Sequence, residues 1–189
     1  MDRLKLALIN TIIVILIIPL IGFVLNCIIN IIAKIIVNCF GSRVGDFILN
    51  KFTFIGTVHH ELSHALFAFC TGAKVSNIKL YKREKDSLGC VKFSPRGNKV
   101  LQAIQLTLTS IAPVITGPIS IYLLYSKALT ICEKTWQVFI VYYIMISILI
   151  HTTMSKQDIK ISLKGLPLCV IIIYIIMLAT GLDLTTIAI

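Results

Sequence analysis

Twenty residues from Phe52 to Thr71, FTFIGTVHHELSHALFAFCT, are long and apolar enough to cross a bilayer, yet they carry His59, His60, Glu61 and His64 in their middle. A stretch that wants lipid outside and holds ionisable groups inside folds as a helix with one stripe turned toward protein or water. Positions i and i+4 share a helix face, so His60 and His64 can offer two imidazole nitrogens to one metal ion, with Glu61 standing beside them. Gly56, His60, His64, Ala68 and Gly72 step by four, and the small members of that row let another helix approach the metal face closely.

His-Glu-x-x-His is the arrangement of zinc metalloproteases, two ligands and a general base. The competing account, interfacial polar residues near a membrane surface, is the weaker one, because ionisable groups inside a span are costly. The rest of the chain supports a membrane setting. Hydrophobic residues make up 57% of it, the mean hydropathy is +0.94, and several apolar runs reach spanning length. The formal charge of +10 sits in short segments between those runs, which suits anionic headgroups and excludes nucleic acid as the natural partner. The six cysteines contain no Cys-x-x-Cys pair and read as small buried hydrophobes. At 189 residues the chain is expected to be one domain, 1–189, with a retained apolar anchor at its start rather than a cleaved leader.

The expected architecture is an all-α polytopic membrane protein of about five transmembrane helices, roughly 6–27, 52–72, 101–125, 136–153 and 166–182. A small cytosolic β-hairpin follows the His-Glu-x-x-His helix. The first apolar run, Leu6 to Phe40, contains Pro19 and Gly22, which can kink or break a helix. At roughly 50 Å it is too long for one upright span. Asn26, Asn30, Lys34 and Asn38 put a polar stripe on its second half, which is expected to leave the bilayer centre or turn toward the protein. Gly41 to Lys51 reads as a short loop with room for an amphipathic turn. Alternation at Ile78 and Leu80, then at Val91 and Phe93, gives two short strands joined through Glu84 to Ser87. Their expected role is to cover the mouth of the site, and an edge strand there can also pair with an unwound substrate. Pro113 and Gly117-Pro118 interrupt the following span and leave carbonyls to be satisfied inside the protein. With the N-terminus cytosolic, inside segments carry thirteen basic residues against four outside, which sets the N-terminus inside and, for five passages, the C-terminus outside.

A catalytic zinc needs a third protein ligand. His59 points about 100° away from His60 around the helix and is disfavoured. Asp158 and His151 remain, both near the cytosolic end of the fourth span. Asp158 is preferred, because a carboxylate completes a His, His, carboxylate set and Ser155 one turn earlier can hydrogen-bond it; His151 is the alternative. The competing account of Asp158 is a solvated charge between Lys156 and Lys160.

Taken together, His60-Glu61-x-x-His64, Gly72, Gly89-Cys90-Val91, Gly117-Pro118 and Ser155-x-x-Asp158 with Gly165 resemble the site-2 protease family of intramembrane zinc metalloproteases. The likeness is to its small bacterial members without PDZ or CBS domains and covers Phe52 to Gly165. It implies one zinc per chain on His60, His64 and Asp158, with Glu61 activating water. Ser155, Asn77, Gly117 and Pro118 are the candidates for supporting the ligands or positioning substrate. Ile159 stands where better-known members have Gly. The partners implied are a membrane-protein or lipid-embedded peptide substrate and membrane lipids, in a bacterial plasma membrane, with the site opening to the cytosol. A catalytically silent zinc-fold binding or chaperone-like protein is the alternative function; an ion transporter is disfavoured by the lack of an internal repeat.

Overall fold

The structure, a computed structural model, describes residues 3–80 and 88–184. Its side chains are sorted in reverse of a water-soluble protein. The largest fully buried ones are Gln105, Asn10, Thr109, Pro113, Ser110 and Ser147, while Phe23, Phe69, Ile131 and Phe139 are mostly exposed. Lipid removes the gain from burying apolar groups between helices and leaves close packing and hydrogen bonding to hold them, so small and polar residues line the interfaces.

The first helix, α1 (Arg3–Asp46), passes through Pro19 and Gly22 without leaving helical geometry. The expected break is absent there. It comes later, at Gly41, where φ is +79° and ψ 163°, a conformation open to glycine; beyond it Gly45 folds back against Val37. A π-helical turn (Phe47–Phe52) then leads into α2 (Phe54–Cys70), so the expected loop at 41–51 is largely helical. At its far end α2 stops at Gly72, whose φ of +80° ends the helix.

Strands β1 (Lys74–Lys79) and β2 (Cys90–Ser94) form the hairpin, antiparallel, with Val75 opposite Phe93 and Ile78 opposite Val91. The expected connection at Glu84 to Ser87 lies outside the described residues. Gln105, fully buried, ties the hairpin to the bundle by accepting from Arg96 N (2.8 Å) and donating to Thr71 O (2.9 Å). Next comes α3 (Lys99–Leu123), capped by Asn98, then α4 (Thr135–Ile150) and α5 (Lys156–Thr180).

Contacts at residues 59 with 120, 63 with 116 and 71 with 105 run α2 antiparallel to α3. Contacts at 52 with 143 and 60 with 151 run α4 parallel to α2. Among the described residues three segments are long and apolar enough to cross a membrane: Arg3–Phe52, Lys99–Ile131 and Lys156–Thr180. About five transmembrane helices were expected; the described residues form five α-helices, of which these three segments alone reach spanning length and Thr135–Ile150 is a shorter apolar helix. The last helix begins at Lys156 and not at 166, so most of the stretch between the expected spans 136–153 and 166–182 is its first turns. Arg3 Nη2 donates to Ala179 O at 3.2 Å, and Asn10 bonds both Leu182 O and Leu184 N. The two ends of the described chain therefore adjoin, contrary to the expectation that they face opposite sides. The physical reason is that α4 stops at His151, level with His60 in the middle of α2, and α5 starts there.

Candidate metal centre

Helix α2 projects His60 and His64 from one face, and their rings meet edge to face with centroids 4.8 Å apart. Each ring is held from behind by a backbone carbonyl. His60 Nδ1 lies 2.7 Å from His151 O, and His64 Nδ1 lies 2.7 Å from Thr109 O. A carbonyl only accepts, so both Nδ1 atoms carry the proton and, in the neutral rings, both Nε2 atoms present lone pairs. Those lone pairs stand 3.1 Å apart. Two acceptors at that distance repel unless a positive charge lies between them, which is what a cation site requires.

Asp158 supplies the negative side. Its Oδ1 is 3.5 Å from His64 Nε2 and its Oδ2 is 3.8 Å from His60 Nε2. It is the third residue of α5, and its place is set by a reciprocal cap: Ser155 N donates to Asp158 Oδ2 (2.8 Å) and Asp158 N donates to Ser155 Oγ (3.1 Å). The carboxylate is thus aimed by the helix start itself. One ligand atom from each of His60, His64 and Asp158 falls within 4.8 Å of the others. The two separations that one donor atom per residue fixes, 3.1 Å between the Nε2 atoms and 3.5 Å from His64 Nε2 to Asp158 Oδ1, lie either side of the roughly 3.3 Å edge of a tetrahedron with bonds near 2.0–2.1 Å, so the donor set fits zinc in type and, at those edges, in spacing.

Glu61 is buried and sits under the hairpin. A Cβ placed on Gly89 would come within 2.5 Å of Glu61 Cγ and 2.9 Å of its Cδ and Oε1. The carboxylate also accepts from the backbone of Val91. The start of β2 therefore lies directly on this carboxylate.

His151 comes to the cluster by its carbonyl and not by its ring, whose Nδ1 bonds Ser147 O at 3.0 Å. His59 points to α3, with Nε2 2.9 Å from Ser120 Oγ. Gly117 is where α3 closes on Thr152. Asn77, opposite Lys92 in the hairpin, and Pro118, on α3, are exposed outside the cluster. Sequence reasoning missed Thr109, whose contribution is a backbone atom, and the close approach of Gly89 to Glu61. It also missed the pairing of Ser63 Oγ with Thr116 Oγ1 at 2.6 Å. The hydroxyls recurring along α3 were the available signal for that last contact.

A family model described as Peptidase M50B-like matches residues 25–188. The chain belongs to that family. The match is consistent with site-2 proteases, and membership implies a membrane protease of the metal-dependent kind. No curated protein and no solved structure matches the chain. The M50B-like match covers every helix of the cluster, from α2 to α5.

Proposed function

We propose that this M50B-like chain is an intramembrane zinc metallopeptidase that hydrolyses peptide bonds within or next to transmembrane segments of membrane proteins. His60, His64 and Asp158 would hold the zinc, and Glu61 would be the general base and acid. The observation that carries this is the convergence of two Nε2 lone pairs and one carboxylate on a single point beside a buried glutamate.

When bound, zinc supplies an acidified water, with a pKa near 7, and polarises the scissile carbonyl. The chain's own groups do the rest. The carbonyls of His151 and Thr109 keep both imidazoles in the tautomer that leaves Nε2 free. Glu61, next to His60 on α2, takes the proton from the attacking water and later returns it to the leaving amine nitrogen. Val91 N–H holds the Glu61 carboxylate in place. Hydroxyls of Thr57, Thr109 and Ser147 are buried with no hydrogen-bond partner among the described residues, so the interior is polar enough to host the water that hydrolysis consumes.

A substrate helix must unwind to expose its backbone, a cost that helix-breaking residues near the cut would reduce. The adjoining ends of α1 and α5 favour an even number of passages, four, with α4 and α5 sharing one. The excess of basic residues on the N-terminal and hairpin side assigns that side to the cytosol. The test is cleavage of a membrane-embedded peptide in proteoliposomes by the wild type and Glu61→Gln. Cleavage by the wild type alone, with equal zinc in both, is expected; equal cleavage by both excludes Glu61 as the base.

A further inference from the structure

Both carbonyls that hold the imidazoles lack the helical N–H that would otherwise occupy them. His151 O lies just past the end of α4, where carbonyls have no helical donor. Thr109 O is different, since it lies in the middle of α3, where a carbonyl ordinarily accepts from the N–H four residues on. The residue four positions on is Pro113, inside the helix and fully buried. Proline has no N–H to give, and its ring crowds the carbonyl four residues before it, pushing that oxygen off the helix axis. The freed oxygen is the one 2.7 Å from His64 Nδ1.

We propose that Pro113 is a positioning residue of the metal centre: by denying Thr109 O its helical partner it dedicates that oxygen to His64 and fixes the ring with Nε2 toward His60 and Asp158. The inference rests on the metal reading of the cluster and adds a residue that touches neither the metal nor the substrate. An N–H restored at 113 would compete for Thr109 O and let the carbonyl swing back along the axis. The oxygen has a second lone pair, so the bond to His64 weakens rather than vanishes. Losing a partner that orients a ligand costs about 10–100-fold in metal affinity, and a weakened one falls near the lower end, about tenfold.

The test is zinc affinity of the full chain in detergent, by competition with a chromophoric chelator, for the wild type, Pro113→Ala, Pro113→Val and His64→Ala. Both Pro113 variants supply the N–H, and valine keeps nearly the original volume. Both are expected to bind zinc about tenfold more weakly, with the metal-free Tm unchanged or raised, because a helical hydrogen bond is regained. Wild-type affinity in either variant overturns the proposal. So does a metal-free Tm that falls in step with the affinity, which would make Pro113 a packing residue. A wild type with no zinc affinity defeats the metallopeptidase reading itself, whereas binding lost in His64→Ala and intact in both Pro113 variants defeats only this inference.

Discussion

Replacing Gly89 by alanine adds one methyl group directly on the proposed general base. The new Cβ would sit 2.5 Å from Glu61 Cγ and 2.9 Å from Cδ and Oε1, whereas ordinary carbon contacts lie at about 3.5–4.0 Å. Something must therefore move by about 1 Å. The hairpin backbone resists, because Cys90 and Val91, directly after Gly89, pair with Lys79 and Ile78. The Glu61 side chain is the softer partner and gives way. A misplacement of about 1 Å at a reacting group costs roughly 100-fold in rate, or about 2.7 kcal/mol of barrier. The φ of Gly89 is not in the left-handed region, so alanine itself is not strained there, and folding is expected to survive. The assay is steady-state cleavage of a membrane-embedded peptide, with kcat and KM measured separately and zinc content checked. A kcat about 100-fold lower with KM and zinc unchanged is expected. Undiminished kcat would refute the claim that β2 locates the carboxylate.

Two more substitutions address the frame. Ser155→Ala removes the acceptor for Asp158 N–H and should lower stability by about 0.5–2 kcal/mol, read as a reduced Tm in detergent, together with weaker zinc binding because the cap aims the ligand. Gly56→Val would drive a Cβ into the Ser147 carbonyl and to 2.6 Å from His151 Nδ1; separation of α2 from α4 is expected, seen as a loss of folded yield larger than that of Ser155→Ala.

Much of the site could be read from residue types and spacing. His60, Glu61 and His64 announce themselves because ionisable groups at helical spacing have no other good reason to lie in an apolar run. Elimination leaves Asp158 and His151, donor chemistry prefers Asp158, and Ser155-x-x-Asp158 is also a helix-start signature, which points to a beginning of α5 at 156 rather than 166. Lys156, Lys160 and Lys164 give the same stretch the composition of a loop and hide that signal. Pro19 points the opposite way yet does not break α1, because in lipid a break would leave further backbone groups with no water to satisfy them. The adjoining ends of α1 and α5 depend on Arg3 and Asn10 meeting carbonyls some 170 residues away, and no local pattern encodes that. Nor does any side chain reveal that Thr109 and His151 act through main-chain oxygens. Only the proline four residues after Thr109 hints at it.

The central claim, that two imidazoles and one carboxylate of this chain bind zinc, is tested most directly by X-ray absorption at the zinc edge of the purified full-length protein. One zinc per chain is expected, with nitrogen and oxygen neighbours at about 2.0–2.2 Å, two of them imidazole, and with the imidazole signal halved in His60→Ala. Zinc present only in trace amounts, or surrounded by sulfur at about 2.3 Å from the cysteines, would contradict it.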